Sequence, residues 1–148
     1  MSFYGGYTLL QQHEIPSKFQ KKFEQYLKQR AEEKISHQFF YAGCKNDTKQ
    51  IQRLLEENNL LSDVHGLKAR YLGIALLGAA IKKRTNIAEL VLKAGAYPNL
   101  FDEKGNTPLH YAYVNGDQAT IKVLLRFGAN QAMQNIDGYL PHELAPQD

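Results

Sequence analysis

One spacing governs what this chain can become: Gly105, Pro108 and Ala112 each recur thirty-three residues later, as Gly138, Pro141 and Ala145. One period in the other direction, Ala112, Leu125, Gly128 and Ala129 land on Ala79, Leu92, Gly95 and Ala96, with Val91 in place of Leu124. A repeat of this length means stacked supersecondary units, because each unit is too small to bury its own apolar face. An earlier unit is anchored by Ala42: the sixteen-residue step from Ala42 to Asn58 equals those from Ala79 to Gly95 and from Ala112 to Gly128. In that register Ile51, Leu54 and Leu55 take the places of Ile121, Leu124 and Leu125. Asn58 then stands where glycine ends a helix in the left-handed backbone region. The step from Ala42 to Ala79 is thirty-seven, so four extra residues are expected between the first two units.

Within the best unit, Thr107 is placed to cap a helix and Pro108 sits in its first turn, where a missing amide hydrogen costs nothing. That helix is predicted to reach about Asn115 and to turn at Gly116. It restarts with Asp117 as N-cap for Gln118 to Phe127, whose Ile121, Leu124 and Leu125 form one apolar stripe. Two short antiparallel helices, followed by a hairpin at the next Asp-x-x-Gly, make a unit that only its neighbours can bury.

The run Asp102-Glu103-Lys104-Gly105-Asn106-Thr107-Pro108-Leu109-His110-Tyr111-Ala112, followed by Gly116 and Leu124-Leu125-Arg126-Phe127-Gly128-Ala129, resembles a nearly complete ankyrin repeat. The Ala79 unit has Ile74-Ala75-Leu76-Leu77 where that motif has Thr-Pro-Leu-His, and the Ala42 unit has His37-Gln38-Phe39-Phe40, so both match on the second half of the motif. The resemblance implies an all-α ankyrin-repeat solenoid of about three repeats (36–68, 69–101 and 102–134) plus a partial C-terminal repeat, 135–148. The outer helix of the third unit would then lack a complete cap. Exposure, a missing C-terminal segment or end-to-end self-association would each answer that edge.

Ahead of the repeats, residues 15–35 place Phe19, Phe23, Tyr26, Leu27, Ala31 and Ile35 near one helical face, with Lys21, Lys22, Lys28 and Lys34 elsewhere. This reads as an N-terminal capping helix whose stripe packs on the first repeat, rather than a membrane-surface helix, because no long basic block accompanies it. Residues 1–14, with Gly5-Gly6 among aromatics, read as an irregular segment. Between Asn58 and Ala75 the extra residues, with Asp63 and Gly66, suggest an enlarged finger loop.

Charge excludes little: 18 Lys and Arg against 15 Asp and Glu leave +3 over 148 residues. The single cysteine, Cys44, cannot form an internal disulfide, which points to a reducing, cytoplasmic setting. The N-terminal residues show no Sec-type export signal. The longest apolar run, Tyr71 to Ile81, is well short of the ~20 residues a membrane-crossing helix needs, so no membrane insertion is expected. No phosphate-binding loop, H-E-x-x-H, C-x-x-C or G-x-S-x-G motif occurs, and the five histidines have no metal-ligand spacing. An enzyme, a cofactor, a metal and a small-molecule substrate are therefore not expected. His110 holds the position whose ring, in the family, ties adjacent turns together. Cys44, beside Lys45, reads as a packing residue rather than a reactive thiol.

The resemblance also implies where a partner would dock, since ankyrin proteins read partners with finger tips and with the exposed ends of inner helices. Those positions are Glu103, Lys104, Asn106, Val114 and Asn115 in the best unit. In the partial last unit they are Ile136, Asp137 and Tyr139, and in the earlier units Ile81, Lys82 and Lys45. The expected function is a non-catalytic adaptor, inhibitor or targeting module that binds another protein in the cytoplasm, or in a host cytosol if the chain is a bacterial effector. The alternative is a nucleic-acid or anionic-lipid binder using Lys45, Lys82, Lys83 and Arg84.

Overall fold

A computed structural model describes residues 17–62 and 66–147. Among the described residues there is no strand. They form helices α1 (Ser17–Cys44), α2 (Thr48–Glu57), α3 (Leu67–Ile81), α4 (Thr85–Lys93), α5 (Pro108–Val114) and α6 (Gln118–Arg126), and a 3-10 turn at Pro141–Leu144. The irregular segment expected over residues 1–14, and the loop residue Asp63, lie outside the described residues. The chain divides into a unit ending at Lys34 and a second beginning at Ile35.

In the first unit the expected helix is present, but it does not stop at residue 35: α1 is 28 residues long and continues to Cys44. Neither Gly nor Pro occurs between Lys18 and Ala42, so nothing in the sequence halts the helix at the expected boundary. Of the apolar stripe, Ile35 packs against the core of the second unit. Phe19, Tyr26 and Leu27 are 48%, 56% and 51% exposed. Among the described residues this unit contains one helix, which has no second element of its own to cover a stripe.

The second unit is a stack of helix pairs whose turns repeat bond for bond. Asp47, Arg84 and Asp117 donate their backbone N–H groups to the carbonyls of Ala42, Ala79 and Ala112. The residue before each of them, Asn46, Lys83 and Gly116, is left-handed. At the far end of each outer helix the N–H groups of Leu60, Ala96 and Ala129 bond to the carbonyls of Leu55, Val91 and Leu124. Between the helices lies one continuous core. Phe39, Leu72, Leu76, Ala79, Ile87, Val91, Leu109, Ala112 and Leu124 are fully buried in it.

Those bonds correct the register of the first pair. Asn58, expected to be left-handed, has φ −101°, and its side-chain amide donates instead to the Leu54 carbonyl at 2.8 Å. The left-handed residue is Asn59, φ 55°, which therefore matches Gly95 and Gly128. The cause is length, since α2 has ten residues where α4 and α6 have nine. One of the four extra residues thus lies inside the outer helix.

The second half of the enlarged finger loop expected between Asn58 and Ala75 is helix. α3 begins at Leu67, directly after Gly66 (φ 73°), and its first turns cross the repeat boundary expected at 68/69. With Ile74-Ala75 where the third repeat has Thr107-Pro108, no cap or proline imposes a start. The run Leu67-Lys68-Ala69-Arg70 favours helix, and Tyr71 and Leu72 are buried. Tyr71 stacks on Phe39 with ring centroids 5.3 Å apart, joining α3 to α1.

Close approach of α1 and α3 depends on two glycines. A Cβ at Gly43 would stand 2.0 Å from the Ala75 carbonyl oxygen, and one at Gly78 would stand 2.4 Å from that of Phe40. The two backbones touch there, and no larger residue fits. At the opposite end of the stack the exposed residues of α6 are Gln118, Ala119, Lys122 and Arg126, a largely polar edge.

Candidate interaction surface

The two hairpin fingers are built from the same parts. In one, Asp102 accepts the backbone N–H groups of Lys104 and Asn106 on Oδ1, each at 3.0 Å, while Gly105 supplies the positive φ of the turn. In the next, Asn135 Oδ1 takes the N–H groups of Asp137 and Tyr139 at 3.1 and 2.9 Å. Stacking joins them: Ile136 N–H donates to the Lys104 carbonyl at 2.9 Å, and Asn135 Nδ2 to Asn106 Oδ1 at 3.0 Å.

His110 fastens these fingers to α5. Thr107 caps the helix, its backbone N–H donates to His110 Nδ1 at 3.1 Å, and the other ring nitrogen meets the Tyr139 carbonyl at 2.9 Å. The ring is fully buried, and it ties adjacent turns together as the family position implies. Tyr111, one residue on, donates its hydroxyl to Asp102 Oδ2. Burial, then the hydrogen bond to Asp102 and its negative charge, push the phenol up to about 12.

The residues singled out for docking separate into two groups. Lys45, Lys82, Glu103, Lys104, Val114, Ile136, Asp137 and Tyr139 are exposed. Asn106, Asn115 and Ile81 are half-buried. Asn106 Oδ1 accepts Asn135 Nδ2, and Asn115 Nδ2 donates to the carbonyls of Ala80 and Ile81, each at 3.1 Å, closing the end of α3. Among the described residues, three exposed aromatics escaped the sequence reading, Tyr41 at 58%, Tyr97 at 47% and Phe101 at 62%. Tyr41 was findable, because it precedes Ala42 as Tyr111 precedes Ala112.

Lys82-Lys83-Arg84 forms the turn between α3 and α4, with Lys83 at φ 58°. Arg84 Nε donates to the Cys44 carbonyl at 3.0 Å, and Asn46, Lys83, Arg84, Thr85 and Asn86 line a shallow cavity of about 300 Å³. Cys44 is buried. Burial raises its thiol pKa above the ordinary value, Lys82 and Arg84 opposing that only in part, so the packing role is the one observed. Among the described residues no group of three or more His, Cys, Asp or Glu side chains is placed to hold a metal ion, and no helix is long and apolar enough to cross a membrane.

Stacked helix pairs with hairpin fingers and a buried histidine tie define a helical-repeat scaffold. The family model for ankyrin repeats (3 copies) matches residues 39–135, and the chain belongs to the ankyrin-repeat family. It is 29% identical to a mitochondrial disaggregase of Bos taurus over 140 residues, covering 70% of this chain and 20% of that protein. It is 41% identical to NF-kappa-B inhibitor alpha of Rattus norvegicus over 58 residues, 39% of this chain and 18% of the inhibitor. A putative ankyrin repeat protein of Rickettsia bellii is 37% identical over 62 residues, 41% of this chain and 26% of that protein. The chain thus spans about a quarter or less of the length of these relatives. Ankyrin repeats generally mediate protein–protein interaction, and the family is generally non-enzymatic.

Proposed function

We propose that this chain is a non-catalytic docking module that offers its finger tips and inner-helix ends to another protein inside a cell. One observation carries the reading. Val114, Ile136 and Tyr139 are 47%, 74% and 48% exposed, while Asp102 and Asn135 hold the backbone N–H groups of the finger turns. Apolar side chains left in water beside a rigid, satisfied backbone are what a partner covers. The likeness to an NF-kappa-B inhibitor supports an inhibitor or adaptor role, and the likeness to the Rickettsia bellii protein supports a bacterial effector acting in a host cytosol.

Replacing Val114, Tyr139 and Lys82 together tests the surface. Affinity capture from lysate with mass spectrometry should lose the partner of the parent chain, with the circular dichroism spectrum and melting temperature retained. Capture that survives the triple replacement rejects this surface.

A further inference from the structure

The turn from α3 to α4 departs from its two counterparts at successive residues. At the left-handed position the first and third pairs have Asn46 (φ 56°) and Gly116 (φ 60°), residue types that tolerate it, whereas the second has Lys83 (φ 58°). At the next position Asp47 and Asp117 cap their helices by accepting the N–H groups of Gln50 and Thr120. Arg84 makes no side-chain cap. Both departures cost stability, and both add positive charge. Local rules kept elsewhere in a stack and broken at one turn mark a place selected for something other than folding.

The charge gathered there is unneutralised. Among the described residues none of Lys45, Lys82, Lys83 and Arg84 forms an ion pair with a carboxylate. The acids next in register, Asp47 and Asp117, are occupied with capping. The bond from Arg84 to the Cys44 carbonyl holds its guanidinium group at the end of α1, one residue before exposed Lys45, and the shallow cavity opens between Asn46 and Lys83. On the other side, the bonds from Asn115 to Ala80 and Ile81 place exposed Val114 next to the end of α3.

We infer that this turn docks an acidic segment of a partner protein, its carboxylates paired with Lys45, Lys82, Lys83 and Arg84 and an apolar side chain of the segment set against Ile81 and Val114. The inference rests on the protein-docking reading above and names the chemistry of the segment. Charge complementarity selects an acidic partner. The adjoining apolar step selects a peptide over a nucleic acid, whose regular phosphates need a longer basic track than a chain of net charge +3 supplies.

The test is a double variant, Lys83→Gly with Arg84→Asp, which installs at this turn the residues of the third pair. Removing the left-handed lysine and restoring the cap offset the loss of the Arg84 bond to the Cys44 carbonyl, so the melting temperature should be retained; it is measured beside binding, so lost binding cannot be attributed to unfolding. A displayed random-peptide library is selected on the full chain, and the enriched peptides are measured by fluorescence anisotropy. The expected peptides mix Asp or Glu with Leu, Ile or Phe. They should bind the double variant at least about tenfold more weakly and weaken with added salt. Enriched peptides without acidic residues, or equal binding to the double variant, overturn the inference. If such peptides are nevertheless lost on replacing Val114 and Tyr139, the docking reading stands without it. No selected peptide at all sinks both. A single-stranded RNA oligonucleotide or phosphatidylserine vesicle that outcompetes the peptides, and is released by the same double variant, assigns the turn to phosphate instead and overturns the peptide.

Discussion

His110 reaches from one finger to the next: with Nδ1 accepting the Thr107 N–H, its proton is on Nε2, which donates to the Tyr139 carbonyl at 2.9 Å. The bond is buried at its histidine end and links residues 29 apart. His110→Ala leaves the Thr107 N–H and the Tyr139 carbonyl without these partners and opens a cavity in the core. The expected loss is about 2–4 kcal/mol of unfolding free energy in urea titration. Hydrogen exchange should rise first at the amides of Ile136 to Tyr139. An unchanged urea midpoint would remove the ring from the list of structural ties.

Gly43→Ala and Gly78→Ala each force a methyl onto a carbonyl oxygen of the facing helix. Backbone cannot rotate aside as a side chain can, so α1 and α3 must separate, at a cost of about 1–3 kcal/mol or more each. Gly128→Ala is the control, because no atom lies within 4 Å of its Cβ and only its φ of 87° opposes alanine. Thermal melts should place Gly128→Ala, at about 1 kcal/mol, above both close-contact variants.

Asn58 and Asn59 are adjacent and chemically identical, yet glycine should act on them in opposite directions. Asn59→Gly relieves a left-handed side chain and should stabilise by about 0.5–1 kcal/mol. Asn58→Gly deletes the amide that donates to the Leu54 carbonyl and should destabilise by a similar amount. Chemical denaturation of the two variants decides the register of the first pair, and the reverse order would restore the one read from the sequence.

Tyr111 holds its proton more tightly folded than unfolded, its pKa rising from 10.0 to about 12. Between those values the unfolded chain has released the proton and the folded chain has not, so stability falls as pH rises. The contribution is fully present below pH 10 and gone above about 12. Urea midpoints across that window should decline more steeply for the parent chain than for Tyr111→Phe. Parallel declines would count against a Tyr111 pKa raised by burial and by the Asp102 contact.

Much of this architecture was legible because it obeys local rules. Thr107, Pro108, Asp117 and Gly128 mark helix ends through backbone chemistry that acts within four residues, and the expected capping bonds are present. Register in the first pair was misread because Asn58 and Asn59 are the same residue type, and only the bond from Leu60 to Leu55 reveals the extra residue in α2. Exposure at the positions proposed for docking was legible in part. Val114 and Tyr139 stand exposed where the family pattern places them, but Asn106 and Asn115, equally polar on paper, are engaged by Asn135 and by the end of α3.

Spacing and residue type were enough to establish a stack of helix pairs, since a repeated apolar stripe has no other way to leave water. They could not say that α1 and α3 meet backbone to backbone at Gly43 and Gly78, nor that Arg84 spans to Cys44. Contacts of that kind join residues more than thirty positions apart, and their partners are chosen by how whole helices pack. No window of sequence contains that information until the chain has closed on itself.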